Sequence, residues 1–168
     1  VRCIAESVDH VRESPVPPAK PDVVLRGFRS RDVPTVSRIV AEALHEHYDT
    51  SLYYSLSQQW PAGFLIAADA TDTPIGFLLG VSQVEGEARV LMFAVDRPGR
   101  AHGIGTSLMT EFLQRCRGRA MHRATLEVRV SNVTAIRFYT RFRFSVTDLL
   151  RGYYSDGENG YQMARELP

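Results

Sequence analysis

Apolar positions recur along this chain at strand spacing and helix spacing in turn. Residues 23–28 form a short apolar run that predicts a strand. Ser30 or Asp32 then offers an N-cap, and Pro34 fits a first helical turn. Val33, Val36, Ile39, Val40, Ala43 and Leu44 follow at the spacing of one buried helix face. A second short helix is predicted over 52–59. It stops at Trp60-Pro61, because the residue before a proline is pushed out of the helical region. Phe64–Ala68 and 75–84 read as strands around the turn Thr71-Asp72-Thr73-Pro74. Beyond the turn Glu85-Gly86-Glu87, residues 90–95 are apolar throughout, which predicts a central strand covered on both faces.

A Gly- and Arg-rich loop over 96–105 follows, and then Ile104, Leu108, Met109, Phe112 and Leu113 mark one face of a helix. Residues 124–130 alternate as a strand with Leu126, Val128 and Val130 on one side. Ser131 or Asn132 caps a further helix carrying Val133, Ile136 and Tyr139. Two last strands, 144–150 and 161–164, flank the turn-rich stretch from Ser155 to Gly160. The order β-α-α-β-β-β-α-β-α-β-β predicts an α/β fold with a mixed sheet.

Composition narrows this reading. The chain has 168 residues, enough for one domain with its own core. Pro15, Pro17, Pro18 and Pro21 break any period over 1–22, so that segment reads as an extended Pro-rich tail, with the domain over 23–168. No apolar run approaches the ~20 residues of a membrane helix, and the first ten residues lack a signal-peptide pattern, so a cytoplasmic chain with no membrane partner is expected. The net charge of +1 gives no bulk argument for direct nucleic-acid binding. Cys3 and Cys116 make no disulfide framework, and Cys116, near Phe112 and Leu113, is expected to be a buried inert thiol. His45-Glu46-His47 has no metal-site spacing if it ends a helix, and no metal is predicted.

The sharpest local signal is Arg100-Ala101-His102-Gly103-Ile104-Gly105-Thr106, between a buried strand and a helix. A helix start exposes unpaired N–H groups and a partial positive charge, and glycines let a phosphate approach the backbone. The loop has no Gly-Lys-Ser/Thr and no third glycine at Leu108, which excludes a P-loop and a Rossmann fingerprint. A glycine turn without a ligand stays open on this evidence alone.

Arg-x-x-Gly-x-Gly at this place resembles the pyrophosphate loop of the GNAT acetyltransferase superfamily. Downstream, Leu126-Glu127-Val128-Arg129-Val130-Ser131-Asn132, Ala135-Ile136 and Phe138-Tyr139 are similar to the ribosomal-protein alanine N-acetyltransferases and their archaeal relatives. Gly152-Tyr153-Tyr154-Ser155-Asp156-Gly157-Glu158 and Met163-Ala164-Arg165 resemble the C-terminal end of archaeal protein N-terminal acetyltransferases, and Leu44-His45-Glu46-His47-Tyr48 is similar to their Leu-Pro-Glu-Asn-Tyr. His45 and His47 depart from that pattern. So does Arg143, which stands where the family has glycine.

The resemblance implies the GNAT fold: a mixed, mostly antiparallel sheet splayed at a central cleft, with helices on both faces. It implies acetyl-CoA as cosubstrate, protein or peptide N-termini as acceptors, and direct attack in a ternary complex; it admits ribosome association. An α-amine with a pKa of ~8 must lose a proton before it attacks, and the resemblance gives that task to Glu127. From spacing alone, Glu127 is a strand carboxylate paired with Arg129 or Arg123. The resemblance makes Tyr139 the proton donor to the leaving thiolate; spacing alone makes it a core tyrosine beside Ile136. Phe93, Ala94, Val95, the 100–106 loop and Asn132 are implied cofactor contacts. Glu46, Tyr48, Tyr153 and Tyr154 are implied acceptor contacts. Two other readings remain: an acetyltransferase for a small amine or a lysine side chain, and a CoA-binding module without catalysis.

Overall fold

A computed structural model describes residues 22–100 and 102–168. The expected tail over 1–22 lies outside the described residues except for Asp22; Cys3 and Ala101 also lie outside them. The elements follow the predicted order: β1 (Val24–Gly27), α1 (Val33–Leu44), α2 (Thr50–Gln59), β2 (Phe64–Ala68), β3 (Pro74–Val81), β4 (Glu87–Val95), α3 (Ile104–Gly118), β5 (Arg123–Arg129), α4 (Val133–Arg141), β6 (Ser145–Leu150) and β7 (Gly160–Glu166). Among the described residues no helix is long and apolar enough to cross a membrane.

The strands form one open sheet in the order β1-β2-β3-β4-β5-β7-β6. Each neighbouring pair is antiparallel except β4–β5, which is parallel and therefore needs the α3 crossover. Strand alternation sends successive side chains to opposite faces. On one face α1 and α2 bury Val36, Ile39, Val40 and Tyr53 against Ile66, Phe77, Leu79 and Met92. On the other, α3 and α4 bury Leu108, Phe112 and Tyr139 against Leu65, Leu78, Val90, Leu126 and Val128. Helices thus cover both faces, as expected.

Two aromatics on the α3 face need bare backbone beneath them. Trp60 and Phe112 meet with ring centroids 5.6 Å apart. A Cβ on Gly80 would lie 2.2 Å from Phe112 Cε2, and one on Gly63 would lie 2.3 Å from Trp60 Cε3. Cys116, one helical turn beyond Phe112, is fully buried, and that burial pushes its thiol up to about 12, so it stays protonated and inert.

Arg143, in the turn from α4 to β6, has φ 63°. That left-handed conformation crowds a Cβ and suits glycine. Its side chain is exposed, so truncation removes little packing. Arg143 and Arg117 also add like charge beside Arg165, whose guanidinium is pushed down mainly by its own burial. Arg143→Gly is expected to stabilise the fold by about 0.5–1 kcal/mol, the left-handed strain relieved minus the backbone entropy glycine costs. A thermal melt checks the sign.

Candidate active site

The sheet parts at its centre. The β4–β5 ladder runs from Glu87↔Arg123 to Val90↔Leu126 and stops there. Opposite β3, the register jumps from Gly80↔Val90 to Leu79↔Met92, which leaves Leu91 as a bulge in β4. A bulge bends and twists its strand. From Leu91 to Val95, β4 therefore runs without β5 beside it, while β5 stays paired with β7 along its whole length. The result is a wedge-shaped gap whose β4 edge offers backbone N–H and C=O groups.

Glu127 is the first β5 residue past the end of that ladder. Because Leu126 and Val128 face α3, alternation turns Glu127 to the opposite face. There it is 5% exposed, in a cleft of about 530 Å³ lined by Gln83, Val84, Glu87, Ala88, Arg89, Arg123, Thr125, Glu127, Leu150, Tyr153 and Gln162. A carboxylate buried this far requires a partner. The partner is Arg89: its Nε donates to Glu127 Oε2 at 2.9 Å, and its Nη2 lies 2.8 Å from the same oxygen. Arg89 Nη2 also donates to the Tyr153 hydroxyl at 3.1 Å.

The ion pairs expected from spacing do not form. Arg129 turns to the loop joining β6 and β7, where it meets Asp156 at 2.8 Å and Glu158 at 2.6 Å. Arg123 faces Glu87 at 3.6 Å and Glu166 at 3.7 Å. Both arginines share Glu127's strand, but the shortest reach runs sideways from β4, where Arg89 sits in register with Thr125.

The predicted phosphate loop meets the open half of β4. Gly103 has φ 77° and precedes α3 without a side-chain cap. The first helical bond runs from Ser107 N to the Gly103 carbonyl at 3.0 Å, so the N–H groups of Ile104, Gly105 and Thr106 precede the ladder and are available to an anion. Arg100 is held at the end of β4 by its Nε, which donates to the Val95 carbonyl at 3.1 Å. His102 Nδ1 lies 2.8 Å from the Arg100 carbonyl. A Cβ on Gly105 would lie 3.3 Å from Phe93 Cζ and 3.7 Å from Phe138 Cε2, so the loop, the gap and α4 converge there.

Tyr139 is fully buried on the α3 face of the same gap, with Phe93, Phe138 and Phe144 around its ring at 6.5, 5.5 and 6.0 Å. Asn132 caps α4, accepting from Ala135 N at 3.0 Å. Glu127 and Tyr139 therefore flank the gap from opposite faces.

The predicted acceptor residues separate. Tyr153 lines the cleft. Tyr154 is 2% exposed, edge-on to Tyr153 at 5.2 Å, with the Arg129 guanidinium 4.1 Å over its ring, so it supports the loop from beneath. Glu158 fixes that loop further by accepting from Ser131 Oγ at 2.5 Å. That bond first, and Arg129 second, hold its carboxyl below the usual range. Glu46 and Tyr48 lie between α1 and α2, where Tyr48 packs on the core of that face; neither lines the cleft. Arg89 enters the cleft without having been singled out in the sequence, and Arg123, named there only as a partner for Glu127, lines it as well. The signal that finds Arg89 is polar alternation at Glu87-Ala88-Arg89, the polar start of β4.

Comparison with known proteins agrees with the fold. The description of the acetyltransferase (GNAT) family matches residues 33–144. An uncharacterized N-acetyltransferase of Methanocaldococcus jannaschii is 35% identical over 152 residues, covering 87% of this chain and 93% of the relative. An N-alpha-acetyltransferase of Sulfolobus acidocaldarius is 30% identical over 148 residues, covering 81% and 88%. The crystal structure of Ard1 from Thermoplasma volcanium superposes with a TM-score of 0.83 at 39% identity, over 87% of this chain and 98% of that one.

Proposed function

The chain belongs to the acetyltransferase (GNAT) family, and from that premise we propose that its domain, residues 23–168, transfers acetyl from acetyl-CoA to the α-amino group of protein N-termini. The observation that carries this reading is the buried Glu127 carboxylate at the apex of the β4–β5 gap, opening into the cleft beside Tyr153. The name of the Sulfolobus relative supports the α-amine as acceptor.

The residues present fit the cosubstrate. The uncapped start of α3, with Gly103 at φ 77° and Arg100 beside it, suits a pyrophosphate. The unpaired edge of β4 at Phe93, Ala94 and Val95 suits an extended amide-bearing chain, and Asn132 lies at the start of α4 on the same side. When bound, acetyl-CoA supplies an activated acyl group as a thioester.

The protein's part is orientation and proton movement. Glu127 accepts a proton from the acceptor ammonium, directly or through one water. Backbone N–H groups at the open edge of β4 stabilise the negative charge that develops on the carbonyl oxygen. Tyr139 donates its hydroxyl proton toward the departing sulfur from the other face. No covalent enzyme intermediate is required, and Cys116, buried and protonated, is unsuited to forming one. Tyr153, which lines the cleft, borders the acceptor's path.

The test is transfer from labelled acetyl-CoA to short peptides with free N-termini, run beside blocked peptides that carry a lysine. Label on the free-terminus set alone is expected. Label on the lysine set alone overturns the α-amine assignment and leaves family and cosubstrate intact.

A further inference from the structure

Glu127 does not sit in its cleft alone, and its surroundings divide its two oxygens. Both Arg89 contacts, from Nε at 2.9 Å and from Nη2 at 2.8 Å, fall on Oε2. The other charged or titratable groups lining the cleft are Glu87 on β4, Arg123 on β5 and Tyr153 on the β6–β7 loop. Arg123 is engaged by Glu87 and Glu166, and Tyr153 receives a hydrogen bond from Arg89 itself.

We propose that Arg89 is the positioning residue for Glu127: it holds Oε2, leaves Oε1 to the acceptor amine or its water, and ties the acceptor loop to the base through Tyr153. This rests on the reading of Glu127 as the base. The geometry is specific to a guanidinium. A planar fork donates from Nε to one carboxylate oxygen, sets its charged Nη2 against the same oxygen, and still donates from Nη2 to the hydroxyl. A side chain pinned at one oxygen has its rotamer fixed, and such fixing decides how often the reactive oxygen is in line. Arg89 also spans three elements. It rises from β4, where the gap opens, bonds to β5, and reaches the loop after β6, so the base and the acceptor wall move as one unit.

Arg89→Gln is expected to lower kcat about 100-fold, with KM for acetyl-CoA unchanged. Added guanidinium at a low, non-denaturing concentration is expected to restore part of that loss, and urea at the same concentration is not. Arg89→Lys, which keeps the charge and loses the fork, is expected to fall between. In a Glu127→Gln background, Arg89→Gln is expected to have no further effect on kcat, because its action runs through that carboxylate. A kcat for Arg89→Gln near that of the parent overturns the proposal. So does an equal loss in both backgrounds, or equal rescue by guanidinium and urea. Should Arg89→Gln fail to fold, Arg89→Lys in both backgrounds carries the same comparison. The peptide and lysine acceptors are assayed in parallel, so an error in the acceptor class shows as a change of labelled peptide and leaves the Arg89 comparison readable.

Discussion

Glu127→Gln is expected to reduce kcat by about 10²–10⁴-fold, the usual range for removing a positioned acid or base, while KM for acetyl-CoA stays near the parent value. The split follows from the placement of the residue. Glu127 lies on the cleft face of β5, whereas the α3 start, Gly105 and Tyr139 lie toward the other face. The amide is close in size to the carboxylate and can keep one bond to Arg89, so the cleft retains its shape. What it loses is a group that accepts a proton at neutral pH. Steady-state kinetics with saturating peptide and varied acetyl-CoA separates the two parameters. If kcat falls by no more than a few-fold, the proton leaves the amine by another path and the base assignment fails.

Phe112→Ala is expected to cost about 3–5 kcal/mol of stability, near the upper limit for a single core truncation. Phe112 is fully buried, and its cavity has stiff walls. The β3 backbone at Gly80 already touches the ring, so there is no side chain there to swing inward. Trp60 is held in turn against Gly63 and against the Gly80 ring slot. A cavity that cannot collapse keeps its full penalty. At about 2–4 °C per kcal/mol for a chain of this size, the melting temperature drops by roughly 10 °C. A loss below about 1.5 kcal/mol would show that β3 and α3 close up after all, contrary to the rigidity inferred from the glycines.

Most of the fold was legible because burial writes itself into periodicity. Phe64–Ala68 was read to the residue, since five consecutive buried positions between turn signals admit little else. The start of β4 was not. The strand begins at Glu87, three residues before the apolar run, because its first residues face a cleft and so carry polar side chains. The same cause hid Arg89. A residue that lines a binding cleft has the chemistry of a surface residue, and local patterns cannot separate the two. The resemblance singles out Glu127, while spacing alone pairs it with Arg123 or Arg129 on its own strand. The true partner depends on which strand lies alongside and in what register, and no short window of sequence holds that information. Tyr154 shows the converse limit. Beside Tyr153 in sequence, it differs in role because the loop turns one ring into the cleft and folds the other beneath Arg129.

The short β4–β5 ladder also has a mechanical meaning. Four residue pairs join the two halves of the sheet, against seven between β5 and β7. Load passing from β1–β4 to β5–β7 must cross that narrow bridge or travel through the helices. An extended molecule lying in the wedge and bonding to the bare edge of β4 would act as an added rung. The domain would then be at its stiffest only when occupied, and an exposed sheet edge, ordinarily an invitation to association with other chains, would be capped by the domain's own cargo.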